Sequence, residues 1–220
     1  MRLHMILAAI ATICIGIYWW ARINNDLSVV SIVQPLITIL CIGIALLALR
    51  LHKHSRALIL CISCGLAVAL LGDFLNLNMN DPYVVIRGLV IFVVAYMTYA
   101  IGLTIINGFH FKDIFVGVVA LLFNAALMIY LWPHLGEMKI PGLIYSLILP
   151  FLVTRAISTF FSGKFSKTQS VLLTAGTGMV YLGDIEFALH AYAQVLPMLA
   201  GPILYAGGQL LISLSPSYAE

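Results

Sequence analysis

Residues 57–78 read Ala57-Leu-Ile-Leu-Cys61-Ile-Ser-Cys64-Gly65-Leu-Ala-Val-Ala-Leu-Leu-Gly72-Asp73-Phe-Leu-Asn76-Leu-Asn78, and Asp73 is the one charge among them. A helix needs about 20 mostly apolar residues to cross a hydrocarbon core about 30 Å thick. This stretch supplies them. Seven others do the same, at roughly 4–21, 28–49, 84–106, 114–132, 141–162, 169–193 and 198–215. The breaks between them are polar: Arg22 to Asp26, Arg50 to Arg56, the Asn-rich Asn76 to Pro82, Asn107 to Asp113, Pro133 to Lys139 and Ser162 to Lys167. Only the last, at Gln194 and Pro197, is weak.

The whole composition agrees. Of the 220 residues 63% are hydrophobic and 9% charged, against about 25% charged in a soluble domain. A water-soluble globule cannot cover itself with so few charges. Disorder, nucleic-acid binding and a disulfide-stapled secreted domain are excluded on the same grounds. Continuous apolar runs, rather than alternating ten-residue segments, exclude a strand barrel. The expected fold is all-α: a polytopic membrane protein of eight transmembrane helices, residues 1–220 forming a single integral membrane domain. The first segment reads as a retained helix anchored by Trp19 and Trp20 rather than a cleaved signal.

The cations set the orientation. Arg2, Arg50, Lys53, Arg56, Lys112, Lys164 and Lys167 lie at the N-terminus and even-numbered loops; Arg22, Arg87 and Lys139 lie on the other side. The positive-inside rule places both termini in the cytoplasm. Cys14, Cys41, Cys61 and Cys64 all fall inside spans and read as small packing residues, not metal ligands.

The third and seventh spans echo each other. Gly65 to Gly72-Asp73 and Gly176 to Gly183-Asp184 both read Gly, six residues, then Gly-Asp. Two four-helix halves of one orientation would make a parallel repeat. Asp73 lies 17 residues past Arg56, and Asp184 lies 17 past Lys167. At about 1.5 Å per residue both sit roughly 25 Å along their helices, in the outer part of the core. If the two spans pack together, the carboxyls face each other across a small polar cavity.

A carboxylate within the bilayer costs about 2.5 kcal/mol or more and usually marks function. Two carboxyls in one dry cavity cannot both ionise cheaply, so the pair would supply one acid and one base. That suits hydrolysis, in which one group protonates the substrate and the other activates water. The Gly before each Asp allows close approach of backbone or substrate. The competing reading is that each Asp only ties helices together, with Arg155 in the sixth span as the obvious partner or a substrate contact. Tyr96 and Tyr99, Tyr145 and Asn124, and Tyr205 and Gln209 are polar groups inside apolar helices, expected to line the cavity or tie helices. Asn76, Asn78, Asn80 and Asp81 would rim its mouth or form a solvated loop. Glu186 and His190, four apart, are expected to form a surface salt bridge. There is no Gly-x-Ser-x-Gly elbow, no His-Glu-x-x-His and no phosphate loop, and the scattered histidines argue against a metal site.

The chain resembles the YhhN-type lysoplasmalogenases, eight-helix membrane proteins. Leu71-Gly72-Asp73-Phe74-Leu75, Gly176 to Asp184, Gly88 to Tyr99, Pro141 to Tyr145 and Tyr205-Ala-Gly-Gly-Gln209-Leu-Leu-Ile212 carry the likeness. The resemblance implies a hydrolase that cleaves the vinyl-ether bond of lysoplasmalogens, releasing a fatty aldehyde and a glycerophospho-alcohol. Its partners would be a lysophospholipid substrate and membrane lipids, in a bacterial inner membrane. The family's two membrane aspartates map onto Asp73 and Asp184. Two positions depart from the family pattern: Tyr96 stands where relatives carry His, and Gly183 where they carry Ser.

The chemistry fits these residues by itself. Protonation of the vinyl β-carbon makes an oxocarbenium ion, water adds at the α-carbon, and the hemiacetal collapses. A carboxylic acid and a carboxylate suffice, with no metal, cofactor or nucleophilic serine. The alternatives are an intramembrane aspartyl protease, for which Tyr181-Leu182-Gly183-Asp184 lacks the first Gly of a Gly-x-Gly-Asp motif, and a non-enzymatic proton-coupled transporter or lipid-binding protein.

Overall fold

The polar breaks end helices where the chain needs them to. Asp26 accepts hydrogen bonds from Ser28 Oγ at 2.5 Å and Val29 N at 3.2 Å, starting one helix and holding its own carboxyl below the usual range. Asp113 Oδ2 accepts from His110 N at 2.8 Å, and Ser166 Oγ accepts from Gln169 N at 3.1 Å, starting two more. The computed structural model describes residues 2–51, 56–75 and 82–219. These form eight helices: α1 (Arg2–Ile23), α2 (Leu27–Leu51), α3 (Arg56–Leu75), α4 (Pro82–Asn107), α5 (Phe111–Leu131), α6 (Lys139–Ser158), α7 (Lys167–Ala188) and α8 (Gly201–Leu214). No strand occurs among the described residues.

Among those residues seven helices, α1 to α7, are long and apolar enough to cross a membrane. The chain is a multi-pass membrane protein. The expected eighth span is not one of them. With 14 residues α8 covers only about 21 Å as an α-helix. It packs on α7, α1 and α2. Around it α2, α3, α4, α6 and α7 follow one another, with α5 outside against α6. The outer faces are apolar, as lipid contact requires: Phe115 and Ile129 on α5 are 75% and 77% exposed.

Hydrogen bonds between loops show which ends lie together. Ser166 Oγ donates to Tyr218 O, and Lys164 Nζ to Ile106 O, gathering the links after α4 and α6 beside the end of the chain. At the opposite end Trp19 Nε1 donates to Leu199 O at 2.7 Å, bringing the end of α1 to the start of α8.

The Gly-Asp echo has a packing cause. Glycines seven apart lie on one helix face, two turns apart. On α3 a Cβ at Gly65 would sit 2.3 Å from the Tyr99 ring, and one at Gly72 would sit 2.8 Å from Phe92, so both glycines admit α4. On α7 a Cβ at Gly176 would meet Gly208 O at 2.8 Å, and one at Gly183 would meet Gly201 O at 3.1 Å, so both admit α8. Each helix thus uses its pair to seat the helix that follows, and in each the second glycine is followed by the aspartate. Gly208 is the tightest of these contacts with backbone, its added Cβ falling 2.5 Å from Gly176 O. We expect Gly208→Ala to destabilise the protein by about 1–3 kcal/mol through overpacking. Gly178→Ala, with nothing within 4 Å of its added Cβ, should be neutral or mildly stabilising. Unfolding midpoints in detergent compare the two.

Candidate active site

Asp73 lies in the last turn of α3 and Asp184 near the end of α7, both 17 residues into their helices. The bundle brings both to the end away from the chain termini, as the depth arithmetic requires. It does not bring them face to face. No hydrogen bond among the described residues links the two carboxyls; Tyr205 of α8 bonds Asp73, Tyr96 of α4 reaches Asp184, and both rings pack on Phe92.

Asp73 is wholly buried at 0% exposure. Its Oδ1 accepts from Gln34 Nε2 at 2.8 Å and Tyr205 OH at 2.8 Å, and its Oδ2 accepts from Thr38 Oγ1 at 2.5 Å. Gln34 in turn accepts from Arg22 Nη2 at 2.9 Å. Asp184 is partly exposed. Its Oδ2 accepts from Tyr145 OH at 2.7 Å and, at the outer limit of a hydrogen bond, from Tyr96 OH at 3.5 Å. The tyrosines pack on one another: Tyr96 lies 6.0 Å from both Phe92 and Tyr145, and Tyr205 meets Phe92 edge-on at 5.7 Å. Each carboxyl therefore faces a phenol from a different helix, and the phenols share one aromatic layer.

Beside this layer lies a cavity of about 130 Å³. Asp184, Tyr96, Tyr145, Tyr205, Gln34 and Asn124 supply its polar wall. Val85, Leu89, Leu127, Met128, Leu131, Leu135 and Met138 supply much of the rest. The polar cavity expected between the aspartates is thus a mainly apolar one that Asp184 lines and Asp73 does not. Its lining suits a ligand with an apolar part.

The other anticipated residues divide clearly. Tyr96, Tyr145 and Tyr205 reach the cavity. Tyr99 and Gln209 do not line it; Tyr99 OH donates to Gln209 Oε1 at 2.9 Å, a buried tie between α4 and α8. Asn76, with Asn78, Asn80 and Asp81, lies outside the described residues. Arg155 is a correction. It is 1% exposed in the last turn of α6, at the opposite end from the cavity, where Nη1 pairs with Asp113 Oδ2 at 2.7 Å, Nη2 donates to Gly108 O, and the guanidinium covers the Phe109 ring. Neither Asp73 nor Asp184 is its partner, because the carboxylate in the first turn of α5 reaches it first.

Glu186 and His190 also part company. Glu186 Oε1 accepts from Leu199 N at 2.6 Å and Ala200 N at 2.9 Å, capping the start of α8 where the helix dipole favours an anion. His190 instead contacts Leu196 O at 2.9 Å. The chain widens into a π-turn over Leu189–Ala193, which rotates His190 off the Glu186 face.

Sequence reading missed Gln34 and Thr38. Their signal was present: two polar side chains four apart on one face of an apolar helix. Tyr96 and Gly183 also acquire a physical sense. Tyr96 places a phenol over Asp184, and Gly183 lets the first turn of α8 approach so closely that an added Cβ would lie 3.2 Å from Tyr205 N.

Fold and site define a helical membrane protein with a buried carboxylate–phenol pocket suited to an amphiphile. The chain belongs to the YhhN family, which it matches over residues 29–216. No curated protein and no solved structure matches it.

Proposed function

We propose that the protein is a membrane-embedded hydrolase that cleaves the vinyl-ether bond of lysoplasmalogens to a fatty aldehyde and a glycerophospho-alcohol. One observation carries the reading: Asp184, held by Tyr145, lines a cavity whose other walls are mainly apolar. Family membership supports it. Asp184 as a carboxylic acid gives its proton to the vinyl β-carbon. The resulting oxocarbenium ion forms beside the new carboxylate, which stabilises it. Water adds at the α-carbon with help from the second carboxyl, Asp73, and the hemiacetal collapses. The two aspartates then divide acid and base work between them.

The cavity lies at the end away from the termini. With both termini cytoplasmic, as the cations indicate, it draws its lipid from the outer leaflet of a bacterial inner membrane. The vinyl ether of a lysolipid sits just below the headgroup, at the depth of Asp184.

The test is purified protein in detergent with a lysoplasmalogen, following free aldehyde, with the saturated alkyl-ether lysolipid as control. Aldehyde from the vinyl ether alone is the expected result. No aldehyde from folded protein sinks the reading. New peptide ends in a membrane substrate would establish a protease instead, and ion-coupled flux without cleavage a transporter.

A further inference from the structure

The two carboxyls differ in one respect that chemistry cannot ignore. Asp184 lines the cavity; Asp73 is sealed from it by Gln34 and Tyr205, both of which do line it. Nothing in the cavity reaches Asp73 without displacing one of them. Gln34 holds Asp73 through an amide, which does not readily exchange protons. Tyr205 holds it through a hydroxyl, which does, at 2.8 Å. The Tyr205 ring is fixed edge-on against Phe92, and its oxygen keeps a lone pair free to accept from a water in the cavity.

We infer that Tyr205 is the second catalytic residue, passing the proton of the attacking water to Asp73, which works behind it as a positioning residue and proton store. This rests on the vinyl-ether reading. As the water oxygen bonds to the oxocarbenium carbon, a water proton moves to Tyr205 Oη and the Tyr205 proton moves to Asp73 Oδ1. Asp184 is by then a carboxylate and Asp73 an acid. In the collapse the hemiacetal hydroxyl gives its proton to Asp184. Asp73 returns its own through Tyr205 to the leaving alcohol oxygen. The C–O bond breaks, and both carboxyls regain their starting states. The cycle consumes one water and needs no other reactant. The titratable groups around Asp73 are Arg22 and Tyr18 of α1, Cys41 of α2, Tyr96 and Tyr99 of α4, and Tyr205 itself. Of these Tyr205 donates a hydrogen bond to the carboxyl and lines the cavity.

The test is a double-mutant cycle on the full chain in detergent with lysoplasmalogen as substrate. Tyr205→Phe and Asp73→Asn should each lower kcat about a hundredfold with KM within a few-fold, and the double variant should be no slower than either. Unchanged kcat in Tyr205→Phe, or multiplying losses in the double variant, overturns the relay. Infrared spectra give a readout that needs no turnover. The carboxyl bands that Asp73→Asn removes should shift in Tyr205→Phe. Bands that stay in place overturn the coupling. Absence of aldehyde from the wild type would instead count against the vinyl-ether reading, leaving the infrared result to decide whether Tyr205 and Asp73 act as one unit.

Discussion

Asp184→Asn should yield a folded protein whose aldehyde release is slower by about a thousandfold or more, at nearly unchanged KM. The asparagine keeps the shape and can still accept from Tyr145 OH, now 2.7 Å from the carboxylate, so the pocket wall should stand. What is lost is the proton. An amide cannot protonate a vinyl carbon, nor can it stabilise an adjacent cation as a carboxylate does. General acid catalysis contributes about 10²–10⁴, and the electrostatic loss adds to it. KM should hold because the apolar wall of Leu89, Met128 and Leu131, where the proposed lipid chain would rest, is untouched by the substitution. Steady-state kinetics on vinyl-ether lysolipid measure both constants. A variant with wild-type kcat would remove Asp184 from the chemistry. A raised KM at constant kcat would make it a binding group only.

The largest loss of stability should come from the other end of the molecule. Arg155→Ala strands Asp113, a carboxylate 7% exposed, together with the Gly108 carbonyl that Arg155 also satisfies. Breaking a buried pair on one side costs about 3–5 kcal/mol, because the remaining charge stays buried and unpaired. The pair joins α5 to α6, the helix on which α5 chiefly packs. Nearby, Asn107 Nδ2 donates to Ser158 Oγ at 2.7 Å, tying α4 to α6 at the same level. Arg155→Lys should recover only part of the loss, since an ammonium cannot bond both acceptors in one plane while covering Phe109. Arg155→Met with Asp113→Leu should recover most of it. Unfolding midpoints in detergent order the series. Catalysis per folded molecule should stay near wild type throughout, because the cavity lies at the opposite end. A normal midpoint for Arg155→Ala would show that the pair is dispensable.

What the sequence by itself determined was everything that depends on chain-local physics. Twenty-residue apolar runs have few ways to satisfy their backbone in lipid, so helix number and rough boundaries followed from hydropathy. The equal spacing of Arg56 to Asp73 and Lys167 to Asp184 fixed how far along its helix each acid lies, because rise per residue is a property of the helix alone. Unpartnered phenols in apolar helices pointed to Tyr96, Tyr145 and Tyr205, since a hydroxyl in that setting needs an acceptor.

The tertiary structure decided what depends on which helices become neighbours. Gly176, Gly183 and Gly208 let α7 be approached backbone to backbone by α8. That helix carries Tyr205 between Asp73 and the cavity, so two aspartates equal in sequence became unequal in exposure. Arg155 found Asp113 rather than either membrane aspartate, a pairing of residues 42 apart that local spacing does not encode. Gln34 and Thr38 became partners of Asp73 for the same reason. Hydropathy sets how deep a residue lies along its helix, but rotation about the helix axis and choice of neighbour are set by side-chain fit, which exists only once the helices meet.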